Sequence, residues 1–399
     1  MKIAIFYRYF WPDTAPYASM LKEMTHWFVS AGHDVEVITG QPGYKKSTKI
    51  LKQAWKETLN DGVRVRRLML FKERSQLFKA INYLLFITRS FFHILFGPKR
   101  DVIIAGTAPP VFQALLISIA AKIRGSEFIY HMQDVHPEIA FVKGGKMTKS
   151  IGFKCLQWLD ISSNKRATIN AVIGDDMAEV IRTRGARGES IKVIRNFAVD
   201  KKRSRPAVVR PVDRPVRFVF AGNIGVFQNL DSLLPVFSRF DPSEIQLVLV
   251  GEGRAKKTLI RKVKEQNIRN VEFHDHMSEQ DVFDFLCDQD VGLVSLLPGI
   301  YKYAVPSKIW TYIAADLPIL FMVEEDSKIA TFLDTNNFGA AVGWQASENK
   351  IEQTIKTIAE KVRNEDYKIS MQKHKVASSV ARQHWVDILA HIEAKRRKS

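Results

Sequence analysis

Cysteine is scarce in this sequence, and its scarcity excludes two kinds of cross-link. The 399 residues include only Cys155 and Cys287, which stand far apart and have no cluster of other metal ligands beside them. A disulfide framework and a cysteine zinc site are therefore excluded, and a reducing compartment fits the composition. The N-terminus lacks the charged and apolar regions of a secretory signal, so we expect a cytoplasmic protein.

Acidic residues are also few, and the resulting positive charge is concentrated. The chain has 60 Lys and Arg against 42 Asp and Glu, a net charge of +18. Residues 45–100 alone contain fourteen basic residues and three acids. Such a region is attracted to anionic surfaces, although a solvated face has the same composition. Because it contains no motif that reads nucleic acid, we expect an anionic membrane surface as partner and no nucleic acid.

No apolar run is long and uncharged enough to be read as a membrane span. Residues 77–96 come nearest, but Lys79, Arg89 and His93 interrupt them. A central Arg is costly in hydrocarbon, whereas a helix lying in the interface keeps it among the headgroups. The pattern favours an interfacial helix whose membrane contacts are Lys79, Arg89, Phe91 and Phe92. A domain helix with one buried face is the alternative.

The first half of the chain alternates between short apolar runs and helical spacing, which indicates a parallel sheet covered by helices. Lys2–Tyr7, residues 17–31 and His33–Thr39 form the first strand-helix-strand unit. The loop after the first strand lacks the G-x-G-x-x-G pattern, so a plain NAD-binding fold loses support. Loops that follow the carboxyl ends of the strands in such a sheet face the ligand crevice. We expect a ligand to contact Trp11, Pro12, Thr14 and Thr107.

Polar side chains follow the strand predicted at Glu127–Met132. The segment His131-Met-Gln-Asp-Val-His-Pro-Glu138 lies at the carboxyl end of a parallel strand, where ligands bind in this architecture. Asp134, His136 and Glu138 are therefore the acid/base candidates for catalysis. The same segment could instead only shape a turn, with His136 on the surface.

A change of composition divides the chain into domains. Residues 201–215 are rich in Pro and Arg without periodicity, so we predict an interdomain linker there. The domain before it spans residues 1–200 and contains the basic region that we expect to face the membrane. Residues 216–375 repeat the strand-helix pattern, and residues 376–399 are predicted to form a helix with a basic tail that packs back towards the first domain. The result is an α/β fold with two doubly wound, Rossmann-like domains facing a central cleft.

Two turns of the second domain have the features of a phosphate site. After a strand at Arg217–Ala221 comes Gly222-Asn223-Ile224-Gly225, and glycine lets a ligand approach the backbone closely. Pro306-Ser307-Lys308 follows another strand and begins a helix, where backbone N–H groups, a hydroxyl and an ammonium can bind phosphate. An ordinary capped helix with a solvated Lys308 is the alternative.

Four features in chain order resemble the retaining family 4 glycosyltransferases of GT-B fold. They are Asn-x-x-x-Asp at 196–200, the Gly222 turn, Gly251-Glu-Gly253 and Pro306-Ser-Lys-x-x-x-Tyr-x-Ala-Ala-x-x-Pro318. Gln133-Asp134-x-His136-Pro137-Glu138, taken with the Gly222 turn, is similar to the branch that builds bacterial O-antigen and capsule repeat units, including N-acetylfucosamine transferases. Singly each motif is unspecific, but their order and spacing across nearly the whole chain are specific.

The resemblance implies transfer of a sugar from a nucleotide-sugar donor, a UDP-sugar, to a polyprenyl-diphosphate-linked saccharide. The donor would bind the second domain and the acceptor the first, where Trp11, Pro12, Thr14 and Thr107 are the acceptor-binding candidates. No metal or other cofactor is expected, because helix ends and basic side chains would carry the diphosphate charge, with Lys308 as a catalytic residue. The donor-binding candidates are Gly222, Asn223, Gly225, Gln228, Gly251, Gly253, Arg254, His276, Pro306, Ser307, Lys308 and Thr311.

The sequence also departs from the family pattern. Asn223 and Gln228 stand where many members have Arg and Lys, and Tyr303 and Thr311 stand where two glutamates are usual. Gln133 replaces a frequent histidine. Two other functions therefore stay open: a nucleotide-sugar 2-epimerase of the same fold, and a non-catalytic membrane- or nucleic-acid-binding protein. We favour a glycosyltransferase of cell-surface polysaccharide biosynthesis at the inner face of a bacterial membrane.

Overall fold

The computed structural model describes residues 1–13, 15, 17–42, 53–71, 75–141, 150–197, 202–204 and 214–398. Most of the predicted linker, at 205–213, lies outside the described residues. The chain divides into two compact units. The N-terminal unit comprises Met1–Val199, Lys302–Val305 and Ser379–Ser399, and the C-terminal unit comprises Asp200–Tyr301 and Pro306–Ser378.

The N-terminal unit is built on an eight-stranded sheet. Its strands are β1 Lys2–Phe6, β2 Asp34–Gly40, β3 Lys56–Thr58, β4 Arg64–Leu68, β5 Val102–Ala105, β6 Glu127–Met132, β7 Ile169–Val172 and β8 Ile191–Val193. The order is β3-β4-β2-β1-β5-β6-β7-β8, and β3 is antiparallel to β4 while the other pairs are parallel. Every residue of β5 and β7 is buried, as expected for strands with helices on both faces.

Helices cover both faces of this sheet and form two cores. They are α1 Ala18–Ser30, α2 Gln76–Phe96, α3 Phe112–Arg124, α4 Glu138–Phe141, α5 Ile151–Arg166 and α6 Asp175–Thr183. On one face, Leu21 and Phe28 of α1 pack against Ile5 of β1. On the other face, Ile117 of α3 packs against Phe6. The alternation of side chains along each strand therefore supplies both cores.

The sequence analysis missed β3 and β4, because arginines interrupt the apolar alternation there. Val65 is buried, but Arg67 on the same strand is buried as well and pairs with Glu57 of β3 at 2.7 Å. The ion pair lets a basic segment enter the sheet, since a buried charge needs a partner. Part of the basic region at 45–100 is thus sheet structure and not a free face.

The helix α2 corrects part of the interpretation of residues 77–96. One face packs onto the unit as in an ordinary domain helix, and its buried residues are Asn82, Phe86, Ile87, Ser90 and Ile94. Phe91 is half-buried and packs against the same core, so it leaves the predicted lipid-facing set. The opposite face exposes Leu77, Leu84, Phe92 and Phe96. In the part of the chain described, no helix is long and apolar enough to span a membrane.

The C-terminal unit has a parallel sheet of six strands. They are β9 Val216–Ala221, β10 Ile245–Val250, β11 Val271–His274, β12 Val291–Ser295, β13 Ile319–Met322 and β14 Gly339–Val342. Their order is β11-β10-β9-β12-β13-β14. The helices are α7 Leu234–Phe237, α8 Lys256–Glu265, α9 Glu279–Leu286, α10 Lys308–Ala314, α11 Lys328–Thr335, α12 Glu348–Arg363 and α13 Ile369–Gln372. The order reverses between β9 and β12, which places the ligand-binding switch point at their carboxyl ends.

Two segments from later in the chain complete the N-terminal unit. The last helix, α14 Ser378–Lys398, buries Trp385 against Phe28 with ring centroids 5.6 Å apart. The strap, which we define as Lys302–Val305, pairs with the end of β6. The Val135 N–H donates to the Tyr303 carbonyl at 2.7 Å, and Ala304 forms an antiparallel bridge with Asp134.

We expect Trp385→Ala to lower the free energy of unfolding of the N-terminal unit by about 3–5 kcal/mol, because it leaves a large cavity between α14 and α1. Urea denaturation followed by circular dichroism measures this. Trp158→Ala is the matched control, since that ring is 64% exposed, and it should cost about 0.5 kcal/mol or less. Equal effects of the two substitutions would contradict the packing described.

Candidate functional site

The ammonium of Lys308 lies directly over the turn at Gly222. Lys308 begins α10, and its Nζ lies 4.0 Å from the centroid of the Phe220 ring at the end of β9. A Cβ built on Gly222 would stand 3.1 Å from this Nζ, and Gly222 has φ +132°. Glycine is therefore required at this turn both for its backbone conformation and for the space that Lys308 occupies. The two motifs from separate parts of the sequence meet in one site.

The environment of Lys308 disfavours its charge. Burial lowers the pKa of Lys308 to about 8. Among the described residues no carboxylate pairs with this ammonium. It lies instead over the face of the Phe220 ring, as in a cation–π interaction. A partly desolvated ammonium without a counter-ion is stabilised by any anion that reaches it. The site therefore favours a negatively charged ligand.

Tyr312, to which the sequence analysis gave no role of its own, positions the backbone that leads into the Gly222 turn. Its hydroxyl accepts a hydrogen bond of 2.9 Å from the Ala221 N–H, the last of β9. The ring fits against β12 because a Cβ on Gly292 would stand 2.4 Å from it. Burial raises the pKa of Tyr312, so the hydroxyl stays neutral. The signal was present in the i, i+4 spacing of Lys308 and Tyr312, which places both on one face of α10.

Gly251 and Gly253 support the turn by close backbone contact. A Cβ on Gly251 would stand 2.0 Å from the Gly222 carbonyl oxygen, and one on Gly253 would stand 2.1 Å from that of Ile224. The Ile224 N–H donates to the Glu252 carbonyl at 2.8 Å. Gly251 and Gly253 were predicted as donor contacts. They are needed for the packing of the two turns whether or not they contact a ligand.

Asn223 and Gln228, the amides at positions where the resemblance would place Arg and Lys, have different environments. Gln228 is built into the turn, because its Oε1 accepts from the Gly225 N–H at 3.1 Å and its carbonyl accepts from the Ser295 hydroxyl. Asn223 is exposed beside Gly225, so it faces solvent. Gln228 therefore contributes rigidity, and Lys308 supplies the charge at the turn itself.

The remaining predicted donor residues differ in how exposed their side chains are. Ser307 is the N-cap of α10, but its side chain makes no capping bond, whereas Ser278 and Ser327 cap their helices. Its hydroxyl is consequently available to a ligand. Pro306 and Thr311 are half-buried, while Arg254 and His276 are exposed.

In the N-terminal unit, a buried histidine organises the carboxyl end of β6. The hydroxyls of Tyr7 and Tyr17 lie 3.2 and 3.3 Å from Nδ1 of His131, and the Gln133 amide lies 3.0 Å from Nε2. Gln133 and Asn196 form a two-way amide pair, with Asn196 Nδ2 donating at 2.8 Å. Burial lowers the pKa of His131 to about 3, so the ring is neutral. The sequence analysis did not select His131, because a lone histidine in a strand carries no signal of this network.

The three acid/base candidates have three different surroundings. Burial raises the pKa of Asp134 to about 6 and lowers the pKa of His136 to about 4. Glu138 forms an ion pair with Arg184 and accepts from the Gln157 amide at 2.7 Å. Arg184 also pairs with the buried Asp160, so Glu138 belongs to a structural network. Asp134 is thus the carboxyl group best suited to meet a ligand.

The predicted acceptor residues lie near the ends of β1 and β5. Trp11 is exposed, with the Lys22 ammonium 4.1 Å from its ring centroid, and its carbonyl accepts from Arg67 at 3.1 Å. Pro12 follows Trp11 through a cis peptide bond. Thr107 is buried. Thr14 lies outside the described residues.

The predicted membrane residues lie on α2. Lys79 is half-buried with its ammonium 5.7 Å from the Tyr83 ring, and Arg89 donates to the Met69 carbonyl. Phe92 is 54% exposed and stacks on Phe96 at 6.0 Å. Within the residues that the structure describes, no group of three His, Cys, Asp or Glu side chains could hold a metal ion.

Comparison with known proteins identifies similar sequences over most of the chain. Residues 17–196 match the family described as a glycosyl transferase 4-like domain. A protein of Pseudomonas aeruginosa named glycosyltransferase WbjE is 24% identical over 291 residues, which are 70% of this chain and 69% of that protein. WcaI of Escherichia coli K12, named as a colanic acid biosynthesis glycosyl transferase, is 23% identical over 360 residues, 84% of this chain and 86% of WcaI.

Solved structures with the same architecture cover almost the whole chain. Sucrose-phosphate synthase of Thermosynechococcus elongatus superposes with a TM-score of 0.70 at 13% identity, covering 99% of this chain and 100% of its own. The lipopolysaccharide outer core galactosyltransferase WaaB superposes with 0.66 at 15% identity, covering 98% and 99%. HepE of Anabaena in complex with UDP superposes with 0.65 at 14% identity, covering 98% and 100%. The fold is GT-B, with two Rossmann-like domains.

We expect His131 to make stability depend on pH. The unfolded chain has the ordinary histidine pKa of 6.5 and the folded chain a pKa of about 3, so the unfolded state binds more protons between these values. The free energy of unfolding therefore falls as the pH is lowered, by up to about 1.4 kcal/mol per pH unit. Asp134 opposes this between its ordinary pKa of 3.8 and about 6, where the folded state binds the extra proton.

The variant His131→Gln isolates the histidine contribution. Urea denaturation between about pH 4 and 7 should show that this variant loses part of the pH slope of the wild type. The exposed His384→Gln is the control and should keep the slope. Identical slopes in wild type and His131→Gln would show that His131 does not carry the effect.

Proposed function

We propose that this chain, a glycosyltransferase with the GT-B fold, belongs to family 4 and transfers a sugar from a UDP-sugar to a polyprenyl-diphosphate-linked saccharide. The observation that carries the proposal is the Lys308 ammonium, without a carboxylate partner among the described residues, over Gly222. The names of WcaI and WaaB support a role in cell-surface polysaccharide biosynthesis, and the UDP bound to HepE supports the choice of nucleotide.

The C-terminal unit is the proposed donor side. As the anomeric bond breaks, negative charge develops on the departing diphosphate, and fixed positive groups at that oxygen stabilise the transition state more than the ground state. Lys308 supplies the charge, Ser307 a hydroxyl, and the Gly222 turn exposes backbone to the phosphates. Tyr312, Gly251 and Gln228 hold this arrangement in place before the ligand arrives.

The N-terminal unit is the proposed acceptor side. Asp134, whose pKa is raised to about 6 by burial, can accept a hydrogen bond from a sugar hydroxyl. Gln133, oriented by His131 and Asn196, offers an amide beside it. We assign these residues to orienting the substrates. The leaving phosphate oxygen would take the acceptor proton in a front-side attack with retention, which needs no side-chain base.

Contact with the inner face of a bacterial membrane completes the proposal. A polyprenyl-linked acceptor is held at the bilayer, so the acceptor unit must reach it. The exposed aromatic residues Phe92 and Phe96 on α2 suit the interface between headgroups and acyl chains. The surrounding positive charge is attracted to anionic lipid.

We expect Lys308→Ala to raise the dissociation constant for UDP by about 10- to 100-fold, as for loss of a charge-assisted hydrogen bond of about 1.5–3 kcal/mol. Isothermal titration calorimetry measures this. Lys257→Ala removes an exposed lysine of α8 in the same unit and should leave the affinity unchanged. An unchanged dissociation constant in Lys308→Ala would overturn the assigned role.

The affinity for UDP should also fall as the pH rises through about 8. The terminal phosphate is already ionised above pH 7, whereas the low pKa of Lys308 means that its ammonium loses the proton in this range. A bound diphosphate raises that pKa, so the decrease begins somewhat above 8. The Lys308→Ala variant should bind UDP weakly with little change over the same range, and a parallel decrease in the variant would assign the effect to another group.

Sugar transfer should continue in excess chelator, because the proposed site uses an ammonium and backbone groups for the diphosphate charge. Product formation from UDP-sugars and a lipid-linked acceptor is measured before and after dialysis against EDTA. Activity that disappears and returns on addition of Mg²⁺ would replace the metal-free proposal.

A further inference from the structure

The hydrogen bonds at the carboxyl end of β6 determine which groups of the N-terminal unit remain for a ligand. They join the side chains of Tyr7, Tyr17, His131, Gln133 and Asn196. His131 and Asn196 are buried, whereas Gln133 is half-buried and can be reached from outside. A group that is already used inside this network is lost to a ligand, so a count of donors and acceptors shows what Gln133 still offers.

Both N–H groups of the Gln133 amide are used inside the network. One points to Nε2 of His131, with 3.0 Å between the two nitrogens, and the other donates to Oδ1 of Asn196 at 3.3 Å. The Gln133 oxygen accepts from Nδ2 of Asn196 at 2.8 Å, its one hydrogen bond to the described residues. Because an amide oxygen has two lone pairs, Gln133 can still accept one hydrogen bond but cannot donate any.

The ring of His131 holds the Gln133 amide in this orientation. Burial lowers the pKa of His131 to about 3, so the ring is neutral and carries one proton. Since Nε2 accepts from Gln133, that proton is on Nδ1 and faces the phenol oxygens of Tyr7 and Tyr17 at 3.2 and 3.3 Å. The phenols can accept it, because their own protons have the His131 carbonyl at 3.4 Å and the Met24 sulfur at 3.6 Å as acceptors.

Asp134 adds a second group that accepts without donating. Its half-buried side chain has no hydrogen bond or ion pair within the part of the chain that the structure describes. Burial, Tyr17 and Asp134 all raise the pKa of Tyr7, so the carboxylate lies close to the network. The bridge to Ala304 of the strap holds the Asp134 backbone. An ionised carboxylate accepts hydrogen bonds only, so it has the same polarity as Gln133.

We propose that Gln133 and Asp134 select the lipid-linked saccharide through hydroxyl groups that donate hydrogen bonds to their two side-chain oxygens. A saccharide that lacks such a hydroxyl leaves these buried oxygens unpaired, which costs more than the loss of an exposed hydrogen bond. A histidine, which the resemblance would place at position 133, can donate from a ring N–H, whereas this glutamine cannot. This inference rests on the proposed function, since it assigns the saccharide to the N-terminal unit.

The direction of the hydrogen bonds is tested without substrate by ¹⁵N NMR of the full chain with labelled histidine. The His131 signals are assigned by their loss in His131→Gln, at about pH 7.5, above the pKa of Asp134. We expect Nδ1 at the shift of a protonated ring nitrogen and Nε2 at that of an unprotonated one. The opposite tautomer would overturn the proposal, because Gln133 would then turn its oxygen to the ring and have an N–H left for the ligand.

The selection itself is tested with modified saccharides in the sugar-transfer assay. Single hydroxyls of the lipid-linked saccharide are replaced by hydrogen or by fluorine, which can accept a hydrogen bond but cannot donate one. At the selected position both replacements should lower kcat/KM by about tenfold or more. Full activity of the fluorinated saccharide at every position where the deoxy saccharide fails would show that the site donates, and it would overturn the proposal.

The variant Gln133→Met assigns the effect to Gln133. It removes the oxygen from a side chain of similar length, so the loss caused by the deoxy saccharide should shrink to about threefold or less. Gln383→Met, on the exposed face of α14, is the matched control and should keep the full loss. Both variants should keep the wild-type affinity for UDP and the histidine signals outside the network, which shows that both units fold.

The possible failures are distinguishable. An equal loss in wild type and Gln133→Met would overturn the role of Gln133 and leave the sugar transfer intact. Absence of transfer to any lipid-linked saccharide would overturn the proposed function, and with it the saccharide as the ligand of this pair, even if the NMR signals have the expected shifts.

Discussion

The close approach of an ammonium to a glycine turn is the constraint on which the C-terminal unit depends. Lys308 occupies the space that a side chain at position 222 would need, and the backbone of residue 222 in turn fills the space beside Gly251. Three chain segments therefore pack closely together at this turn. The benefit is electrostatic, because a charge held in place without water needs no reorganisation when an anion forms beside it.

The N-terminal unit meets the same requirement for rigidity with neutral groups. His131 is kept uncharged by burial, and two phenols and two amides surround it. Buried polar networks of this kind are stable only when their members are satisfied, and they then hold a unique geometry. Under the proposed function, one unit would place a charge for the diphosphate and the other would orient hydrogen-bonding groups for the sugars.

Much of the fold followed from the sequence, because strands buried on both faces read as apolar runs with glycine or proline after them. The strand β6 has the predicted bounds, and α2 differs by one residue at its start. Lys308 and Gly222 were selected because a phosphate turn needs these residue types, and the fold brings them together, while their role in binding phosphate stays a prediction. Tyr312, His131 and Arg184 were not selected, because most of their partners lie 24 to 124 residues away and only the folded chain brings them together. The strand β4 was not predicted because its arginines pair with acidic residues of β2 and β3, which the sequence pattern does not show.

The chain passes between the two units four times, so the two units are completed at different points of synthesis. The backbone changes unit at Val199/Asp200, Tyr301/Lys302, Val305/Pro306 and Ser378/Ser379. The C-terminal unit has all its strands and helices before α14 leaves the ribosome, whereas the N-terminal sheet waits for both the strap and Trp385. The half that is translated first therefore gains its last packing contact, that of Trp385 with Phe28, only when the chain is almost complete.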